Sequence, residues 1–148
     1  IETITYVLAG TVEHGDSLGN RGRLGAGDVQ WMTAGSGIMH QEMPKGDDKG
    51  RMHGFQLWGN LPKALKMTAP RYQDMPAEAL PERHEDDGTS IRVVIGDYRG
   101  VKSPVDGIAA DALRDRKHSI PDAGVLRSPI RVIGKTGTEQ GTLQLVRP

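Results

Sequence analysis

The chain has 148 residues, enough for one well-buried domain and too few for two ordinary ones. Lysine plus arginine and aspartate plus glutamate number 19 each, so the net charge gives no electrostatic case for nucleic acid, and 36% hydrophobic residues exclude a disordered chain. No apolar run reaches the length of a membrane span and no signal-peptide pattern opens the chain. Without cysteine, any transition metal must be held by imidazole and carboxylate.

Glu2 to Leu8 alternates, with Ile4, Tyr6 and Leu8 on one face and Thr3, Thr5 and Val7 on the other, which predicts a strand. Because Ile1 already stands inside this pattern, the natural start of the protein is expected to lie upstream. Gly10 bends the chain into Thr11–His14, and Gly15–Asn20 reads as a hairpin turn. Gly25–Asp28 is a second turn, in which Asp28 is expected to bond the local backbone. Val29–Met32, Ile38–Met43 and Met52–Trp58 are the next strands, the second of them ended by Pro44. Leu61–Tyr72 reads as a wrapping loop, Met75–Leu80 as a helical turn, and Glu82–Gly88 as a charged exposed segment. Ile91–Ile95 is a further strand and Gly100–Gly107 a loop. Beyond Leu113, only Ile130–Ile133 and Leu143–Val146 look β-like, and the basic run Arg114–His118 reads as solvated surface. Short strands between glycine turns, with 20 glycines in all, point to an all-β antiparallel barrel.

Chemistry concentrates at His40 and Glu42. Side chains at i and i+2 on a strand leave the same face, so an imidazole and a carboxylate project together and can supply two ligands to a divalent first-row metal. Taken alone, His-x-Glu is also the pattern of a solvated pair on an outer face. Other candidates carry structural readings: His14 as a turn or surface residue, Trp31 and Trp58 as core. His53 shares a face with Phe55 and Leu57, and Gln56 shares the other with Trp58. One of these faces must line the barrel, and parity does not say which. His53 is expected to be a packed core histidine, with contact to the metal site as the alternative.

Ile1–Asn20, Gly27–Pro44 and His53–Trp58 together resemble the N-terminal cupin domain of the pirin family, most specifically through Trp31-Met-Thr-Ala-Gly-Ser-Gly-Ile-Met-His-Gln-Glu-Met-Pro44. Lys66–Gln73 and Gly100–Gly107 extend the likeness, which covers Ile1 to Asp111. It implies a cupin-type jelly-roll barrel over residues 1–111 and a divergent, irregular extension over 112–148. It further implies His40 and Glu42 as metal ligands and iron(II) as the metal, with manganese, nickel, copper or zinc chemically acceptable. Pirins draw two more ligands from a His-x-His tract just before the position of Ile1, so a metal-free chain is the expectation if that pair is indispensable. The activity implied is that of a quercetin 2,3-dioxygenase on a flavonol-like substrate, with Glu42 as the catalytic base. The alternatives are an iron-dependent redox-sensing regulator that binds a transcription factor or metabolic enzyme, and an inactive fragment of the family. No direct nucleic-acid or membrane partner is implied. The location implied is cytoplasmic, or nuclear in a eukaryote.

Overall fold

This computed structural model describes residues 1–105, apart from 87, 89 and 96. The expected extension over 112–148, with its basic run and β-like stretches, lies outside the described residues. Among the described residues, eleven strands carry the fold: β1 (Glu2–Ala9), β2 (Thr11–Asp16), β3 (Arg21–Leu24), β4 (Val29–Thr33), β5 (His40–Lys45), β6 (His53–Gly59), β7 (Arg71–Met75), β8 (Glu82–His84), β9 (Ser90–Arg92), β10 (Asp97–Tyr98) and β11 (Val101–Lys102). The helical content of the described residues is two single 3₁₀ turns, Lys63–Leu65 and Ala77–Ala79.

Two antiparallel sheets hold the site. The larger is ordered β6-β1-β4-β7 and the smaller β3-β2-β5. The chain passes from one to the other at Gly10, whose φ is 81°. A side chain there would also meet the Lys45 carbonyl oxygen at 2.6 Å, so the corner needs glycine for both its angle and its space. Within the larger sheet Ile4 pairs with Trp31 and Leu57, and Tyr6 with Val29 and Phe55. This face is sealed by the chain beyond β7: Ile4, Val29, Trp31, Leu80, Val94 and Val105 form the main buried cluster, with Tyr6, Leu57, Met75 and Ile95 packed against it. Fully burying each large apolar side chain contributes about 1.5–3 kcal/mol. At the end of the face Glu2 is buried too, its Oε1 accepting from the Thr33 hydroxyl at 2.6 Å. The opposite face, carrying Thr5, Gln30 and Gln56 in register, looks onto the smaller sheet.

Several elements differ from the sequence reading. β2 runs on to Asp16, whose Oδ1 accepts from the backbone of Leu18 at 2.8 Å and of Asn20 at 2.9 Å, so the turn is tighter than expected. β7 emerges from a stretch read as loop, because Arg71–Met75 gains its pairing from distant β4. The charged segment contributes β8, which pairs with β9. The strand expected over Ile91–Ile95 is short, Ser90–Arg92: the Val93 amide still bonds to the Pro81 carbonyl in register at 2.9 Å, but Pro81 has no N–H to continue the ladder. Pro44 does not end β5. It sits within the strand on a sheet edge, where a missing N–H is tolerated. Asp28 meets its expectation and goes further: Oδ2 accepts from Gly25 N at 2.7 Å, and Oδ1 accepts from Ala77 N at 2.9 Å.

Candidate functional site

β5 is an edge strand that projects His40 and Glu42 from one face, as the alternation requires. Its partner β2 sets Asp16 opposite His40 and His14 opposite Glu42, so four potential ligand or proton-handling groups share one face of the smaller sheet. His40 is exposed and Glu42 half-buried. The Glu42 carboxylate is held from across the barrel. Gln56 Nε2 donates to Oε1 at 3.0 Å and to Oε2 at 2.9 Å, and the Thr5 hydroxyl approaches Oε1 at 3.4 Å. These contacts also answer which face of β6 lines the barrel: it is the face of Gln56 and Trp58.

His14 is not the surface or turn residue that its place before Gly15 suggested. It is 6% exposed, its ring stacks on Tyr72 with centroids 5.8 Å apart, and it lies over Gly22, where any side chain would collide with the ring. Gln30 Nε2 donates to Asp74 Oδ1 at 2.8 Å and lies 2.9 Å from His14 Nε2. The acceptor-only carboxylate fixes the amide nitrogen of Gln30 between Asp74 and the His14 ring. Val12 and His14 share a strand parity, and that was the one sequence signal that pointed inward. Burial pushes the Tyr72 hydroxyl up to about 12, and the adjacent Asp16 carboxylate adds to the rise.

Two further expectations are corrected. His53 is exposed rather than packed in the core, its ring tilted against Phe55 at 5.6 Å. Trp58 is 70% exposed, because its face of β6 looks into the open barrel edge, whereas Trp31, at 3%, is core as expected. The indole Nε1 of Trp58 donates to Gln56 Oε1 at 2.9 Å. Beside the site lies a cavity of about 340 Å³ lined by His14, Asp16, Arg21, Met39, His40 and Met43, among others. Glu42 does not line it.

One imidazole and one carboxylate on a shared face fit a divalent first-row ion as part of its ligand set. Among the described residues, no group of three or more histidines or carboxylates converges to hold a metal. No helix among them is long and apolar enough to cross a membrane.

The Pirin family profile matches residues 1–59, a stretch that includes all of β1 to β6 and both His40 and Glu42. Residues 1–59 are pirin-family sequence. A pirin-like protein of Caulobacter vibrioides is 48% identical over 113 residues, 76% of this chain and 41% of that protein. A crystal structure from Geobacillus kaustophilus superposes with a TM-score of 0.63 at 48% identity, over 72% of this chain and 42% of the other. A quercetin 2,3-dioxygenase from Acinetobacter baumannii superposes with a TM-score of 0.64 at 38% identity, over 72% of this chain and 38% of that enzyme. The fold is therefore the cupin-type antiparallel β-barrel that the pirin resemblance implied. The chain spans less than half the length of the relatives it matches.

Proposed function

We propose that this pirin-like cupin supplies part of a metal centre through His40 and Glu42, and that the centre serves a quercetin 2,3-dioxygenase-type oxidation of a flavonol-like aromatic. The observation that carries the reading is the joint projection of His40 and Glu42 from one face of β5. The open cleft of about 340 Å³ that borders His40 gives a small molecule room beside that residue. A regulator that senses only the oxidation state of its metal needs no such space. Likeness to the Acinetobacter baumannii enzyme supports the substrate class.

Iron(II) is the expected ion, although manganese, nickel, copper and zinc suit the same donors. When bound, it supplies Lewis acidity toward a substrate oxygen and, as iron, access to oxygen chemistry. The remaining work falls to the chain. Glu42 is the base that takes the flavonol hydroxyl proton, and the contacts from Gln56 and Thr5 hold its carboxylate toward the barrel interior. His14, fixed by Gln30 and Tyr72, forms a rigid wall of the cavity. Elemental analysis of the chain and of a His40→Ala, Glu42→Ala variant is the test. Stoichiometric iron that disappears in the variant supports the reading, and iron retained by the variant refutes these ligands. For the base, a Glu42→Gln protein that keeps its iron and its full turnover removes the role.

A further inference from the structure

Glu42 ends a three-residue chain of hydrogen bonds whose other end is the solvent-exposed indole of Trp58. Gln56 is its centre. Its Nε2 meets Glu42 Oε1 at 3.0 Å, Glu42 Oε2 at 2.9 Å and Thr5 Oγ1 at 3.1 Å, while its Oε1 accepts from Trp58 Nε1 at 2.9 Å. The amide could in principle sit either way round, but both neighbours oppose the flip. An indole can only donate and an ionised carboxylate can only accept, so a rotated Gln56 would put donor against donor and oxygen against oxygen. Register supports the same arrangement. Thr5 pairs with Gln56 across β1 and β6, and Thr3 pairs with Trp58, so these four residues line one face of the larger sheet. Trp58 is 70% exposed, so burial does little to hold its ring and the bond to Gln56 is its specific anchor.

We propose that Gln56 is the positioning residue for the Glu42 carboxylate and that Trp58 sets the orientation of the Gln56 amide. The proposal rests on the reading of Glu42 as a functional carboxylate and gives that site a support the sequence motif does not contain. Outer hydrogen-bond partners of metal ligands typically matter by ten- to a hundredfold in affinity.

The test begins on the metal-free chain by NMR. The indole Nε1–H resonance of Trp58 is expected to move upfield and exchange faster in Gln56→Leu, and to shift in Glu42→Ala, while that of Trp31 stays in place as an internal control. A Trp58 resonance indifferent to Glu42→Ala breaks the relay, whatever metal does. Iron(II) is then titrated anaerobically by calorimetry. Binding weakened at least tenfold in Gln56→Leu, and weakened less in Trp58→Phe with a folded spectrum, supports the positioning role. Equal affinities in parent and Gln56→Leu overturn that role and leave the metal reading intact. A parent that binds no iron shows that His40 and Glu42 do not hold the metal by themselves, and the relay is then decided by the resonance alone.

Discussion

The two faces of the β6-β1-β4-β7 sheet do opposite work. On one, Ile4, Val29 and Trp31 are sealed by Leu80, Val94 and Val105 into the main core. On the other, Thr5, Gln30 and Gln56 reach across to His14 and Glu42 of the smaller sheet. The main core thus lies outside the lining, while Val7, Val12 and Leu24 form a smaller buried cluster between the two inner faces. Most apolar burial in the main cluster occurs on the face away from the site, and this lets the inner face carry polar groups provided each buried one finds a partner. Gln30 shows the condition being met, since one amide nitrogen serves both Asp74 and His14.

The contrast can be broken most forcefully at the two tryptophans. Trp31→Ala, on the sealed face, is expected to cost about 3–5 kcal/mol by urea unfolding. Trp58→Ala, on the open inner face, is expected to stay within about 0.5 kcal/mol. Comparable losses from both would mean that the inner face also carries the core. A smaller effect probes the polar face itself. Gln30→Leu leaves Asp74 and His14 without their shared donor and is expected to cost about 1–3 kcal/mol, with the exchange protection of β4 and β7 reduced together. A variant as stable as the parent would show that this contact is not needed on the inner face.

The mildest prediction uses alkali. Because the folded Tyr72 hydroxyl is raised from 10.0 to about 12, the folded state holds its proton where the unfolded chain has released it. Its contribution is therefore complete below about pH 10 and is lost as pH rises through about 12. Unfolding midpoints of the parent should fall between those values, and Tyr72→Phe should flatten the decline. An identical slope in both would place the alkaline loss elsewhere.

Much of this architecture was legible along the chain. The alternation of Glu2–Leu8 and the glycine-flanked runs gave β1, β4 and β6, and i to i+2 spacing alone put His40 and Glu42 on one face. β3, β7 and β8 were missed because their own residues carry little β character, and pairing partners elsewhere impose the extended form. Gln56 was noticed only as a residue sharing a face with Trp58, since nothing in the local pattern says that an amide on β6 will meet a carboxylate on β5.

By itself, then, the sequence determined which residues alternate, where glycine permits a corner, and that an imidazole and a carboxylate leave one strand together. These follow from backbone geometry, which is local. Tertiary structure alone decided which side of each strand became the lining. It buried His14, left Trp58 in solvent and brought Gln56 to Glu42. A strand presents two faces of equal geometry, and only the surface that comes to cover one of them, here the segment carrying Leu80, Val94 and Val105, makes the other the inside.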